Sequence, residues 1–186
     1  GGNCLWDYDF RYPGPVTLRY SLGGSRNVPA VKAMLIAGVD KTIETANKLG
    51  LLDEENQVGG YKCYASGTDL LNPTLDDEEQ CYGSSAIGDG AFLQLDKHVH
   101  SYATISRNGN KIPQTYILKV EDSEGRTLSE WAPSNGEQVV RDESAYIIAD
   151  IMSDPRASYM SRKNHDYKGW NFSLKTGTTN DNRDGW

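Results

Sequence analysis

The chain has 186 residues, of which 37% are hydrophobic and 24% are charged, and its formal net charge is −7. This composition is typical of a soluble globular domain, and the length allows a single hydrophobic core. The acidic balance argues against nucleic acid as a partner, because a phosphate-binding surface needs clustered Lys and Arg. The longest apolar stretches, 33–39 and 145–151, fall well short of the roughly 20 residues that cross a bilayer. We therefore expect neither a membrane span nor a signal peptide in this sequence.

The first third of the chain predicts an irregular connector followed by helices. Residues 1–24 are rich in Gly, Pro, Tyr and Trp, and they end in a short helical pattern over 17–22. Closely spaced apolar residues over 28–38 predict a helix that is largely buried. A further helix is expected over 41–49, with Asp40 as its N-cap.

Residues 53–85 predict a surface insertion within a domain that covers 1–186. The segment is acidic and contains Gly and Asn-Pro, which is typical of a long loop. Cys63 and Cys81 lie far apart within it, so a disulfide could shorten the loop, and a free thiol at each position is the open alternative. The spacing of the cysteines is not that of a metal site, and no cofactor is expected. The acidic run 76–79 is interpreted as a solvated loop, with cation binding as the minor alternative.

The second half predicts a mixture of helices and antiparallel strands. A helix is expected over 95–106, and two alternating segments, 114–121 and 126–131, flank a turn and predict a β-hairpin. Helical spacing returns over 144–152. A final strand is expected over 170–179.

Histidines and aromatic residues receive structural interpretations. His98 and His100 are two positions apart, which places them on different faces of a helix, so packing or solvation is favoured over metal binding. His165 falls in a polar segment that predicts a loop. Trp170, Phe172 and Leu174 alternate along the last predicted strand, and we expect them to face the core, with stacking on a sugar or peptide as the minor alternative.

Two short segments carry the chemistry of the sequence. The segment 175–179 reads Lys-Thr-Gly-Thr-Thr and combines a compact cation, short hydroxyl donors and a glycine that lets a ligand backbone approach. The segment 25–27 reads Ser-Arg-Asn and opens a predicted helix, which Ser25 could also cap. Each segment taken singly is more typical of a strand end or a helix cap than of a functional site.

Taken together and in this order, the two segments resemble the Ser-x-Asn and Lys-Thr-Gly signatures of penicillin-binding proteins and serine β-lactamases. The segment after Asn27, Val-Pro-Ala-Val, resembles class A penicillin-binding proteins, so the resemblance favours a cross-linking transpeptidase. Further ordered similarities extend over roughly 20–186, at 86–90, 102–104, 108–109 and 125. The resemblance implies an α+β fold in which a helical region packs on an antiparallel sheet, with both ends of the domain incomplete in this chain.

The resemblance also implies roles for six residues. Ser25 would relay a proton and Lys175 would supply positive potential and help to hold a ligand carboxylate, which makes these two the catalytic candidates. The backbone N–H of Thr178 would form half of an oxyanion hole. The candidates for substrate binding are Asn27, Thr176, Gly177 and Thr178.

One signature of the resembled family does not occur in this sequence. No serine has a lysine three positions later; Ser161 precedes Lys163 by only two. We therefore expect an upstream segment to supply the nucleophilic serine, and this chain alone to be inactive. The implied partners are peptidoglycan stem peptides ending in D-Ala-D-Ala and β-lactam antibiotics. The implied location is the outer face of the bacterial cytoplasmic membrane, with any anchor outside this chain.

Two alternatives to the transpeptidase remain. A D,D-carboxypeptidase or a β-lactamase would transfer the acyl group to water, whereas a β-lactam sensor or pseudoenzyme would keep the pocket without turnover. A Ser-x-x-Lys sequence upstream of Gly1 would favour an enzyme over the non-catalytic alternative.

Overall fold

The computed structural model describes residues 5–53, 58–59, 83–88, 93–160, 165–178 and 185. The α-helices are α1 (Leu18–Gly23), α2 (Asn27–Ala37), α3 (Val39–Ala46), α4 (Leu95–Ser106) and α5 (Asp142–Ser153). A π-helical turn, Asn47–Leu51, continues α3, and a 3₁₀ turn, Gly83–Ile87, packs against α2. Within this part of the chain, no helix combines the length and apolar character that a membrane crossing requires.

The strands are short and pair in antiparallel fashion. They are β1 (Leu52–Asp53), β2 (Val58–Gly59), β3 (Asn110–Lys111), β4 (Lys119–Glu121), β5 (Thr127–Glu130), β6 (Glu137–Gln138), β7 (Asp166–Tyr167) and β8 (Trp170–Asn171). The pairs are β1–β2, β3–β6, β4–β5 and β7–β8. Helices and antiparallel ladders together confirm the expected α+β class.

The predicted helices are confirmed, with small shifts at their ends. The helix over 95–106 has the expected bounds, and the hairpin forms from the shorter strands β4 and β5. Asp40 is not an N-cap: α3 begins at Val39, two residues before the predicted start, so Asp40 lies in its first turn, where its negative charge interacts favourably with the helix dipole. Ser25 is not the cap of α2 either, because Arg26 holds that position.

Two expectations about burial are wrong. Helix α2 buries Met34, but Leu35 and Ile36 on the same helix are 59% and 88% exposed, so helical apolar spacing did not predict a buried surface all round. The segment 170–179 is not one continuous strand. Instead, β8 turns back on β7 and leaves Trp170 and Phe172 exposed, because a two-stranded ladder covers neither face.

Helix α5 contacts both α1 and the segment that precedes Lys175. Its inner face contributes the buried residues Ala145, Ile151 and Met152. On its other side, the guanidinium of Arg19 in α1 pairs with Asp150 and with Asp154, which follows α5. The end of α1 also approaches the chain after α5 so closely that a side chain at Gly23 could not fit, since its Cβ would lie 2.8 Å from the Ala157 carbonyl.

The segment that leads to Lys175 is fastened to the C-terminal end of α5. The last carbonyls of a helix have no partner within the helix, and here the incoming segment supplies donors for them. The Leu174 N–H donates to the Met152 carbonyl at 2.9 Å, and the Asn171 amide donates to the Ser153 carbonyl at 3.4 Å. The Ser173 hydroxyl adds a bond to the Ala149 carbonyl at 2.9 Å. These bonds fix the position of the segment along the helix end.

His165 is buried beneath this segment, although its sequence context predicted a polar loop. It is 1% exposed, and its carbonyl accepts the Phe172 N–H at 2.7 Å. The Nδ1 atom lies 3.2 Å from the Phe172 carbonyl, so Nδ1 carries the proton, because a carbonyl oxygen only accepts. The ring therefore locks Phe172, three positions before Lys175.

The two histidines of α4 face different neighbours. The His98 ring packs on Tyr102 at a centroid distance of 5.3 Å. The His100 ring covers Gly50, where a Cβ would lie 2.5 Å from His100 Cδ2, so the residue at this contact needs to lack a side chain. Gly50 also has a φ of +116°, which glycine adopts without strain.

His100 gives the fold an acid-sensitive contact. Burial, followed by the nearby charges of Arg107, Lys111 and Lys97, lowers the pKa of its imidazole below 6.5, and Asp96 opposes them. The unfolded chain then binds this proton more readily, so the free energy of unfolding falls as the pH drops from about 7 through the depressed folded pKa.

We expect His100→Gln to weaken that fall, by less than about 1.4 kcal/mol per pH unit, the limit for one proton. Thermal unfolding of the domain at a series of pH values measures the slope. His98→Gln controls for the loss of an imidazole from the same helix. Equal slopes for wild type and His100→Gln would contradict the prediction.

Several expectations lie outside the described residues. These are the thiols at 63 and 81, the acidic run 76–79, and most of the insertion expected over 53–85. The described parts of that segment contribute to the β1–β2 pair and to the 3₁₀ turn on α2.

Candidate active site

The Ser-Arg-Asn segment forms a tight connection between α1 and α2. The backbone N–H of Ser25 donates to the Leu22 carbonyl at 3.1 Å, and that of Arg26 donates to the Ser21 carbonyl at 2.9 Å. Ser25 itself has a φ of +53°, in the left-handed region that non-glycine residues adopt at a cost of about 1–2 kcal/mol. Strained backbone of this kind is concentrated at functional positions.

The structure brings Ser25 and Lys175 into contact although 150 positions separate them in the chain. The Lys175 ammonium donates to Ser25 Oγ at 2.8 Å and to the carbonyl of Thr176 at 2.7 Å. The contact follows from the fold, because α1 and the segment before Lys175 both pack on α5. An ammonium has three donors, so among the described residues these bonds leave one for a ligand.

Burial lowers the pKa of the Lys175 ammonium. An ammonium in such a site has lost part of its hydration, and a ligand carboxylate would restore favourable interactions to it. The Ser25 hydroxyl, which both donates and accepts, is hydrogen-bonded to this cation and can relay a proton beside it. The pair is therefore suited to binding an anion and to moving a proton beside it.

Asn27 is the first residue of α2, and its carboxamide is oriented by the N-terminal segment. Its Nδ2 donates to the Trp6 carbonyl at 2.9 Å, which leaves Oδ1 as the group that can accept a ligand N–H. The start of α2 is capped by Asp7, whose Oδ1 accepts the backbone N–H of Val28 at 3.1 Å. Asp7 is 2% exposed, so this cap is part of the interior.

Arg26 ties the N-terminal segment to the turn that carries Ser25. Its guanidinium pairs with Asp9 at 2.7 Å and with Asp7 at 3.8 Å, and it lies 5.2 Å from the centre of the Tyr8 ring. The Tyr8 ring in turn packs on Tyr159 at a centroid distance of 5.4 Å. Arg26 thus holds an aromatic pair next to the turn that carries Ser25.

The remaining candidates lie along the segment after Lys175. The Thr176 hydroxyl is hydrogen-bonded to the Tyr159 hydroxyl. Gly177 and Thr178 are exposed, and Thr178 forms an antiparallel bridge with Gly185. Thr178 is thus accessible from solvent and lies in an isolated antiparallel bridge.

The sequence did not indicate Asp7, Tyr8, Asp9 or Tyr159 as parts of the site. A partial signal existed for the two aspartates, because Arg26 sits inside a motif and needs acceptors, and an alternating acidic pair precedes it in the chain. Tyr159 had no such signal, since nothing in its sequence context distinguishes it from other tyrosines.

Comparison with known proteins identifies the kind of domain that this is. A family model described as the penicillin-binding protein transpeptidase domain matches residues 5–185. The chain is 28% identical over 182 residues to penicillin-binding protein 1A of Neisseria lactamica. It is 25% identical over 179 residues to penicillin-binding protein 1A/1B of Bacillus subtilis. Each alignment covers 96% of this chain, but the chain spans only 20% and 17% of the length of these relatives.

Solved structures show the same fold. Penicillin-binding protein A from Mycobacterium tuberculosis, in a ceftriaxone acyl-enzyme complex, superposes with a TM-score of 0.72 at 20% identity, over 96% of this chain and 40% of that one. Penicillin-binding protein 1A from Haemophilus influenzae superposes with a TM-score of 0.66 at 23% identity, over 98% of this chain and 29% of that one.

Proposed function

The chain belongs to the family of penicillin-binding protein transpeptidase domains, and on this premise we propose that it is the motif-bearing part of a peptidoglycan D,D-transpeptidase. The acyl donor is a stem peptide that ends in D-Ala-D-Ala, and β-lactams react at the same site. The observation that carries the proposal is the contact of the partly buried Lys175 ammonium with Ser25 Oγ at 2.8 Å. This contact joins the two motifs in one cleft.

The geometry supports a division of roles in the cleft. The ligand carboxylate takes the open donor of Lys175 together with the hydroxyls of Thr176 and Thr178, because charge-assisted bonds are the stronger ones. Gly177 lets the ligand backbone approach, and the Asn27 carboxamide binds the amide of the acyl group. Ser25 moves the proton towards the leaving amine.

The reaction is an acyl transfer in two steps. A serine from a segment upstream of this chain attacks the carbonyl of the donor peptide, forms an ester and expels the terminal D-alanine with a proton. An amine of a neighbouring stem peptide then attacks the ester and releases the serine. The Thr178 N–H supplies one oxyanion donor, and the N–H of the nucleophilic serine supplies the other. In the intact protein the domain works at the outer face of the cytoplasmic membrane.

Labelling with a fluorescent penicillin tests this proposal. We expect the intact protein to form a stable adduct on a serine upstream of Gly1, and the chain 1–186 alone to form none. Peptide mapping of the adduct identifies the serine. A stable adduct on the isolated chain would show that the nucleophile lies within it and would overturn the assignment.

The acceptor separates the transpeptidase from its alternatives. A D,D-carboxypeptidase or a β-lactamase passes the acyl group to water, so it releases D-alanine or hydrolysed drug without an amine acceptor. The Val-Pro segment after Asn27 favours the cross-linking enzyme. A non-catalytic sensor would be acylated but would release no D-alanine from a donor peptide.

A further inference from the structure

We propose that Tyr159 is a positioning residue for ligand carboxylates, which it serves by orienting the hydroxyl of Thr176. This inference rests on the proposed function and adds a residue to its site. The carrying observation is the hydrogen bond between the Tyr159 and Thr176 hydroxyls, immediately beside Lys175. Tyr159 belongs to neither of the two motifs and follows α5 in the chain.

The direction of this hydrogen bond decides what Thr176 can do. A threonine hydroxyl has one proton, and in a free rotor that proton samples several directions. In the proposed arrangement the Tyr159 O–H donates to Thr176 Oγ1, so the Thr176 proton is directed away from Tyr159. It is then available to donate to a carboxylate bound at Lys175. The tyrosine thus converts a freely rotating hydroxyl into an oriented donor, which lowers the ordering cost of binding.

Tyr159 itself is held in place by a stack that begins at the other motif. Its ring packs on Tyr8 at 5.4 Å, and Tyr8 lies under the Arg26 guanidinium at 5.2 Å. The aspartates at 7 and 9 fix that guanidinium. Cation–π and ring-pair contacts of this kind contribute about 0.5–1.5 kcal/mol each. The stack runs from the middle residue of Ser-Arg-Asn to the middle residue of Lys-Thr-Gly.

Tyr8 and Tyr159 are 50% and 49% exposed, so both residues are accessible from solvent beside the candidate site. Because Tyr159 is exposed, its side chain does not block the approach of a ligand to Thr176. Gly23 explains why the chain after α5 comes this near, because the absent side chain permits contact with Ala157. The position of Tyr159 therefore depends on local packing as well as on the stack.

The test compares acylation rates of the intact protein carrying Tyr159→Phe with those of the wild type. Loss of one neutral hydrogen bond predicts about a three- to tenfold lower second-order rate with a carboxylate-bearing fluorescent penicillin. The loss should appear in the half-saturating concentration and leave the limiting acylation rate little changed, because carboxylate binding is shared by ground state and transition state. Tyr146→Phe, which removes the same oxygen from an exposed tyrosine on α5, is the matched control.

A double-mutant cycle separates this role from a general structural one. In a Thr176→Val background, which has no hydroxyl to orient, we expect Tyr159→Phe to have no further effect. Tyr8→Leu should resemble Tyr159→Phe, and Tyr8→Phe, which keeps the ring, should restore the wild-type rate. Melting temperatures of all variants establish that the domain remains folded.

The outcomes distinguish the inference from the function on which it rests. A wild-type protein that does not react with the penicillin overturns the proposed function. If the wild type reacts and Thr176→Val slows it, a wild-type rate for Tyr159→Phe overturns only the role of Tyr159. An undiminished effect of Tyr159→Phe in the Thr176→Val background would overturn it too, since the tyrosine would then act without Thr176.

Discussion

Replacement of Lys175 by glutamine is expected to lower the second-order rate of penicillin acylation of the intact protein by about 10²–10³-fold. The variant removes the charge that we propose binds the ligand carboxylate, together with the donor that contacts Ser25 Oγ at 2.8 Å. Lys168→Gln is the matched control. Lys168 is an exposed cation seven positions before Lys175, and its ammonium lies over the Tyr167 ring. Stopped-flow or gel-based labelling with fluorescent penicillin gives the rates.

The same substitution should leave the fold intact. Burial depresses the pKa of Lys175 in the folded chain below its unfolded value, so the charged ammonium lowers stability at every pH below that depressed pKa. This loss of folding stability disappears as the pH rises from the depressed pKa towards 10.5, because the unfolded chain then also loses the proton. We therefore expect Lys175→Gln to melt at or above the wild-type temperature at neutral pH. Slow acylation together with a lower melting temperature would indicate a folding defect and would contradict an electrostatic role for Lys175.

The helices were predictable from the sequence because each has a local signal. Leu95–Ser106 has a helical apolar pattern that ends before Asn108 and Gly109, both of which adopt positive φ values. The strands were less predictable. Alternation suggested long strands at 114–121 and 170–179, but strand length depends on a partner strand, and only short segments find one in the described structure.

Part of the candidate site was predictable because its two motifs are local sequence signals. Ser25 and Lys175 could be paired in advance because each belongs to a motif with a chemical meaning. The contacts that orient them were not predictable, since they arise from tertiary packing. His165 illustrates this: its neighbours in sequence are polar, yet it is 1% exposed beneath the segment that leads to Lys175. Tyr159 reaches Thr176 only because the chain after α5 folds back onto α1.

Asp7 is the residue outside the motifs on which we expect the stability of the site to depend most. Its Oδ1 caps α2 at Val28, and its carboxylate faces the Arg26 guanidinium. Asp7→Ala should lower the free energy of unfolding of the domain by about 2–4 kcal/mol. The loss combines a helix cap of about 0.5–2 kcal/mol with buried donors left without an acceptor, at about 1–3 kcal/mol. Chemical denaturation of the domain measures the change.

Two further variants separate the cap from the charge. Asp7→Asn keeps an oxygen that can accept the Val28 N–H but loses the negative charge, so it should recover most of the stability if the cap dominates. Asp9→Asn removes the negative charge that pairs with Arg26 and leaves the cap of α2 in place. Because Asp9 is more exposed than Asp7, Asp9→Asn should lower the free energy of unfolding by less than Asp7→Ala does. If Asp7→Ala were as stable as the wild type, the start of α2 would not depend on this cap. The orientation of Asn27 would then have to come from its bond to the Trp6 carbonyl.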